Sequence, residues 1–318
     1  MKKQILIGAD SFEKIIGGNY FYVDKTLFIK ELLENRGEVT LITRPRRFGK
    51  TLNMSMLECF FDINRDSKAL FDRLKIMEHK DIVEKHLNKY PVISLTLKNV
   101  EEDTYKNAIE NIRDLISGVY RQNRYLYESD RLDEQQKEIF YTLLSGKSTE
   151  SRLKSALKFL TECLYTYHKE RVIVLLDEYD APITNALMKG YYDKMISFMR
   201  GFMGSVFKTN KYLKHKELDN YWVNTGSVRE LQDVFYKGDA ALKNELAGLL
   251  TGAPVMMRLE DGITYPIKYV RSNTFWTMLL NAGYLRASKI DRFGAELVNM
   301  EVKSIFSRYA EEWFGEQH

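Results

Sequence analysis

Proline is scarce in this chain, five residues in 318, and no polar low-complexity tract accompanies it. That composition excludes long disordered linkers, which depend on such tracts. Cysteine is scarcer still, with only Cys59 and Cys163. Each sits in an apolar, helical-looking setting, Leu57-Glu58-Cys59-Phe60 and Glu162-Cys163-Leu164, so both are expected as buried free thiols rather than a disulfide or a thiolate metal site. The five histidines (His79, His86, His168, His215 and His318) are scattered and form no metal-ligand spacing. No run approaches the roughly 20 apolar residues that a membrane helix needs. The start, Met1 to Asp10, has two lysines, but its apolar run is too short for a signal peptide. These absences predict a cytoplasmic, reducing setting with no membrane partner. Neither sign of charge dominates: a net +4 is too small to imply nucleic acid by itself, although it permits an anionic ligand.

What is present suits a soluble core. Hydrophobic residues make up 44% and charged residues 29%, and 20 tyrosines and 17 phenylalanines supply bulk. The length fits one large domain or two unequal ones. Tyr20 to Val23 reads as a short strand, and Thr26 as the cap of a helix carrying Leu27, Ile29, Leu32 and Leu33. Val39 to Thr43 is a run rich in β-branched residues and predicts a strand. Helical spacing follows over Thr51 to Phe61. Val92 to Leu97 is a second strand opened by Pro91. Three helical stretches, Tyr105 to Tyr127, Leu132 to Leu144 and Leu153 to His168, lead to a third strand, Val172 to Leu176. A helix spans roughly Tyr191 to Phe207. Alternating strands and helices predict an α/β fold with a parallel sheet covered on both faces, whose first and third strands are buried and central. A basic, polar stretch, Lys208 to Asn220, suggests a boundary between residues 1–213 and a mainly helical C-terminal region, 214–318. Within that region helices are expected at Val228 to Tyr236, Ala240 to Leu250, Thr274 to Ala282 and Glu301 to Phe314. Extended pieces are expected at Val255 to Leu259 and Thr264 to Ile267.

Two motifs carry chemistry. Arg44-Pro45-Arg46-Arg47-Phe48-Gly49-Lys50-Thr51 follows the strand ending at Thr43 and opens the next helix. The phosphate-loop pattern G-x-x-x-x-G-K-[ST] is met at Gly49, Lys50 and Thr51, with Arg44 in place of the first glycine. Such a loop turns backbone N–H groups toward phosphate, supplies a lysine for the β- and γ-phosphates, and offers a hydroxyl to Mg²⁺. Arg44, Arg46 and Arg47 add positive charge beside it, and Phe48 and Leu52 flank the contact. The second motif is Asp177-Glu178 at the end of the third strand. A carboxylate at the end of a neighbouring strand suits Mg²⁺, directly or through water, and the adjacent Glu178 suits a general base acting on water. Asp180 fits a cap before Pro182. Arg200 and Arg229 are candidate γ-phosphate sensors on charge grounds.

These motifs, with Leu176-Asp177-Glu178-Tyr179-Asp180-Ala181-Pro182, resemble the Walker A and Walker B segments of the AAA-ATPase-like family of prokaryotic P-loop proteins. Three further stretches are similar to it: Phe12-Glu13-Lys14-Ile15 with Tyr22-Val23-Asp24-Lys25-Thr26, then Tyr221-Trp222-Val223-Asn224-Thr225, then Phe275-Trp276 with Ala282-Gly283-Tyr284-Leu285. The resemblance implies a P-loop NTPase three-layer core that binds ATP and Mg²⁺. By it Lys50 contacts the phosphates, Thr51 and Asp177 hold Mg²⁺, and Glu178 activates water. The stretch Tyr22 to Lys25 either helps to seat the nucleotide or is structural.

Two departures temper the transfer. Family members often continue into a PD-(D/E)XK nuclease-like domain, and no such motif is visible before His318, so nuclease activity is not carried over. Between the helix resembling Phe198 to Leu213 and the segment Tyr221 to Thr225, only Lys214 to Asn220 stands where the family has a core strand with a Thr-Gly turn and a long arm. Nucleotide binding is therefore expected more firmly than hydrolysis, which is expected to be weak. Two alternatives stay open. One is a catalytically silent interaction module that meets a protein partner through its C-terminal region. The other is a nucleic-acid-associated regulator using the basic stretch Lys208 to Lys216 with Tyr212. In the C-terminal helix, Val302, Ile305, Phe306, Tyr309 and Trp313 share one face and read as core.

Overall fold

The computed structural model describes residues 3–6, 8–35, 39–40, 49–207, 240–258, 272–281, 284–288, 294–298, 302–304, 306–307 and 310. These fall into two compact units, the first up to residue 207 and the second from residue 240.

The first unit opens with α1 (Phe12–Gly17), capped by Ser11, whose hydroxyl accepts the Lys14 N–H and so satisfies one orphan donor of the first turn. The strand expected over Tyr20–Val23 is not formed. Phe21 and Val23 point outward, and although the Phe21 N–H reaches the Gln4 carbonyl at 2.8 Å, no ladder develops among the described residues. Next come α2 (Leu27–Glu34), α3 (Lys50–Phe61), α4 (Lys68–Phe71), a 3₁₀ turn at Lys75–Glu78 and α5 (Lys80–His86). The first strand, β1 (Val92–Thr96), leads into α6 (Tyr105–Gln122), capped by Thr104.

The sequence predicts one helix over Tyr105–Tyr127, but the chain breaks at Asn123. Its buried amide donates to the Val119 carbonyl at 2.9 Å, and α7 (Arg124–Glu128) starts afresh. A reciprocal cap between Asp133 and Gln136 starts α8 (Glu134–Leu144). A second break, at Ser155, separates α9 (Glu150–Lys154) from α10 (Ala156–His168). Then follow β2 (Ile173–Asp177), α11 (Ala181–Lys189) and α12 (Tyr192–Phe207).

The strands β1 and β2 pair in parallel, from Val92 opposite Ile173 to Thr96 opposite Asp177. A parallel pair needs a long crossover, and here helices α6 to α10 supply it. Thr43 lies outside the described residues, so the described neighbour of the Asp177 strand is β1. Against the expectation of a fully buried central strand, β2 is half-buried except at Leu175. Helix α3 packs on both strands and α6 packs on β1. One core gathers Phe12, Ile29, Met56, Phe60, Phe71 and Leu175, with Phe60 edge-on to Phe71 at 5.4 Å between ring centroids. Truncating such a fully buried ring to alanine typically costs about 3–5 kcal/mol. Further buried side chains come from α6, α8, α10 and α12, among them Ile112, Tyr120, Phe140, Leu160, Phe198 and Phe202. The Tyr120 hydroxyl donates to the Ala156 carbonyl at 2.8 Å, so its burial leaves no donor unmet. Cys59 and Cys163 are free and buried, and burial pushes their thiols up to about 11 and about 12.

The second unit contains α13 (Ala240–Thr251), β3 (Val255–Met256), α14 (Ser272–Asn281), β4 (Leu285–Ala287) and β5 (Gly294–Leu297). The strands form an antiparallel sheet in the order β3-β5-β4. The sequence reading of a mainly helical region misses β4 and β5, each too short to show an alternating pattern. The core of this unit holds Leu242, Leu246, Phe275, Trp276, Leu279 and Phe306. The Trp276 indole N–H donates to the Glu245 carboxylate at 2.5 Å. Val302 and Phe306 are buried, as their helical spacing predicts, while Ile305, Tyr309 and Trp313 lie outside the described residues. So do the expected elements at Val228 to Tyr236 and Thr264 to Ile267.

Candidate functional site

The two sequence motifs meet at the start of α3 and the end of β2. Gly49 is the residue before the helix, with φ +75° and ψ +26°. That left-handed conformation is open to glycine at no steric cost and costs other residues. No side chain caps this end. The N–H groups of Lys50, Thr51 and Leu52 make no hydrogen bond among the described residues, as the first turn of an uncapped helix requires. Thr51 turns its side chain toward the sheet, and its Oγ1 donates to Oδ2 of Asp177 at 2.7 Å. The other Asp177 oxygen, Oδ1, accepts the Glu178 N–H at 3.1 Å. The Leu97 N–H holds the Asp177 carbonyl at 3.0 Å, so the strand end is fixed from β1. All of Gly49, Lys50, Thr51, Leu52, Asp177 and Glu178 are half-buried. Glu178 itself has φ +49°, a left-handed backbone that is uncommon for a residue with a Cβ. It brings the chain from β2 into α11, with its carbonyl accepting the Ala181 N–H at 3.1 Å.

A third segment approaches this corner. The turn Tyr22 to Thr26 is tied down on two sides. The Tyr22 hydroxyl lies 3.4 Å from Met56 Sδ on α3, and its ring stands edge-on to Phe12. Burial pushes that hydroxyl up to about 12, partly offset by a hydrogen bond from the Lys25 N–H. Asp24 Oδ1 accepts the N–H and hydroxyl of Thr26 at 2.9 and 2.6 Å, while Oδ2 accepts the Lys75 N–H at 2.8 Å. The sequence predicts Thr26 as the cap of α2. It sits at the cap position, but its hydroxyl is engaged by Asp24 and accepts the Ile76 N–H at 3.1 Å, so it makes no cap bond. The side chain of Lys25 is exposed and extends toward Gly49: a Cβ placed on Gly49 would lie 3.8 Å from Lys25 Nζ. Neither Lys25 nor Lys50 is paired with a carboxylate among the described residues.

Of the remaining sequence candidates, Arg44, Arg46, Arg47, Phe48 and Arg229 lie outside the described residues, as does the basic stretch Lys208 to Lys216 with Tyr212. Arg200 is exposed on α12. Asp180 precedes α11 without a side-chain cap bond; its carbonyl accepts the N–H groups of Ile183 and Thr184 instead. Between Glu178 and Asp180, Tyr179 is half-buried; desolvation raises its hydroxyl, as does the charge of Asp180. Sequence reasoning included Lys25 only as part of a segment, and the signal that singles it out is spatial.

A family model described as a predicted AAA-ATPase matches residues 6–218, a span that contains both motifs and the Tyr22 to Thr26 turn. The chain belongs to the AAA-ATPase-like family. One curated relative, described as an uncharacterized protein in the vnfD 5′ region of Azotobacter chroococcum mcd 1, is 30% identical over 189 residues, 59% of this chain. The chain spans 31% of that relative's length. No solved structure matches this AAA-ATPase-like chain. Among its described residues no helix is long and apolar enough to cross a membrane.

Proposed function

We propose that this AAA-ATPase-like protein binds ATP with Mg²⁺ at the corner between α3 and β2, within a P-loop NTPase core, and hydrolyses it slowly. The observation that carries this reading is the 2.7 Å hydrogen bond from Thr51 Oγ1 to Asp177 Oδ2. It joins the hydroxyl of one motif to the carboxylate of the other across a sequence separation of 126 residues. A hydroxyl and a carboxylate are hard oxygen donors of the kind Mg²⁺ takes, and Mg²⁺ typically draws its other ligands from phosphates and water. The uncapped end of α3 fits an anion, because its N–H groups and the helix dipole both favour negative charge. Lys50, unpaired among the described residues, would meet the β- and γ-phosphates, with Arg44, Arg46, Arg47 and Phe48 completing the loop around them. Bound Mg²⁺ would neutralise phosphate charge in the transition state. Glu178, directly after the Mg²⁺ carboxylate, would orient and deprotonate the attacking water.

Calorimetric titration with Mg-ATP tests the binding. Wild type is expected to bind, and Lys50→Ala to lose at least about tenfold in affinity, the scale of a charge-assisted contact to phosphate. Equal affinity in the two proteins would sink the assignment. Phosphate release tests the turnover: Glu178→Gln should abolish a slow wild-type rate while ATP still binds. Binding with no release dependent on Glu178 would instead favour a silent nucleotide-binding module.

A further inference from the structure

We infer that Lys25 is a second phosphate-binding ammonium of this site, brought to Gly49 at the start of α3 from the N-terminal turn. The inference rests on the nucleotide reading above and extends it to a residue that the loop pattern does not contain.

Three observations carry it. First, the turn is held rigidly. Tyr22 leans on α3 through Met56, and Asp24 and Thr26 together take four hydrogen bonds that tie the turn to itself and to Lys75 and Ile76. The backbone of Lys25 is therefore fixed while its side chain remains exposed. A lysine on such a turn serves no purpose in holding it, since its N–H and carbonyl already bind the Tyr22 hydroxyl and the Phe28 N–H. Second, the side chain runs to Gly49, the residue before α3. Its Nζ comes within 3.8 Å of the space above Gly49 that a side chain would occupy. Third, no carboxylate neutralises the charge: among the described residues neither Lys25 nor Lys50 has an ion-pair partner.

Lys25 Nζ lies near Gly49, and Lys50 is the first residue of α3; positive charge at a helix N-terminus is disfavoured by the positive end of the helix dipole. An arrangement that costs energy when empty is relieved by a polyanion. A nucleoside polyphosphate carries enough charge to engage both ammonium groups, Lys50 from the helix and Lys25 from the N-terminal turn. Lysine suits this task as a compact, mobile point charge.

The test is Mg-ATP titration of wild type, Lys25→Ala, Lys25→Arg and Lys50→Ala, with unliganded thermal midpoints measured in parallel. Lys25→Ala should lose about tenfold in affinity, a typical charge-assisted contribution, with its unliganded midpoint unchanged, and Lys25→Arg should recover most of the loss. If Lys25→Ala binds as wild type while Lys50→Ala does not, the inference about Lys25 fails and the nucleotide site stands. If Lys25→Ala weakens binding only with a lowered unliganded midpoint, and arginine gives no rescue, Lys25 is structural and the inference is overturned. If wild type itself binds no nucleotide, both readings fall together.

Discussion

Gly49 and Glu178 stand on opposite sides of the Thr51–Asp177 bond, and both have left-handed backbones, at φ +75° and +49°. The cost of that conformation depends on the side chain. Glycine adopts it freely, whereas an ordinary residue there loses roughly 1–2 kcal/mol. Gly49→Ala should therefore destabilise the chain by about 1–2 kcal/mol from the backbone alone. The contact of its new methyl with Lys25 Nζ, at 3.8 Å, is an ordinary one and adds little. At Glu178 the sign reverses: Glu178→Gly removes the strain but adds about 0.5–1 kcal/mol of unfolded-state entropy, so stability should stay within about 1 kcal/mol of wild type. Glu178→Gln should match wild type in stability because it keeps the Cβ. Urea midpoints of the three variants check this, and a neutral Gly49→Ala would refute the strain argument. Strain at a site residue persists only where its surroundings over-determine it. Here the Leu97 N–H on the Asp177 carbonyl and the Ala181 N–H on the Glu178 carbonyl do so.

At the scale of elements, the turn from Tyr22 to Thr26 depends on one carboxylate. Burial would raise the Asp24 carboxyl, but the hydrogen bonds from Thr26 and Lys75, and the Lys75 charge, outweigh it and hold the group below its ordinary value of 3.8. The folded state thus favours the ionised form more than the unfolded chain does. The stability gained is present above about pH 4 and is lost as pH falls from there through the lower folded value. Asp24→Asn should be less stable than wild type at neutral pH, and the difference should shrink on acidification below pH 4. A gap between the two midpoints that does not change between pH 6 and pH 3 would contradict this. The sequence showed only part of such an element. The helix α3 was legible because Leu52, Met56, Leu57 and Phe60 recur at helical spacing and the spacing is also their packing. The strands β1 and β2 were legible as short runs rich in apolar residues. Thr26 takes the cap position that a threonine before an apolar run signals, but it makes no cap bond because its hydroxyl is taken by Asp24 beside it and by Ile76, 50 residues away. Tyr20–Val23 has the composition of a strand, but no ladder forms on it among the described residues: Phe21 and Val23 are exposed, while Tyr22 packs on α3. The breaks at Asn123 and Ser155 pass unnoticed because apolar spacing continues through them. The approach of Lys25 to Gly49 has no local signature at all, since it exists only once α3 and the N-terminal turn have packed.

For the whole molecule, the distribution of the site over the chain makes the sharpest demand. Gly49, Lys50 and Thr51, with Asp177 and Glu178, belong to the first unit, which has its own core around Phe12, Phe60 and Phe71. The second unit encloses a separate core around Trp276 and Phe306. A ligand that binds only the folded first unit stabilises it by mass action, by about 2.7 kcal/mol at a hundred times its dissociation constant. For a unit of this size that corresponds to a rise of about 5–10 °C in its thermal midpoint. The rise should appear with Mg-ATP in wild type and be absent in Lys50→Ala at the same concentration. Hydrogen exchange locates the effect: amides of α3 and β2, and those of the Lys25 turn, should exchange more slowly with nucleotide bound. The turn is the informative part, because among the described residues it meets the start of α3 through the Lys25 side chain near Gly49 and the packing of Tyr22 on Met56, so its protection should fall back in Lys25→Ala even where α3 remains protected. Protection that rises in residues 240–258 and 272–281 but not in 49–61 and 173–178 would put the ligand on the second unit and end the present reading.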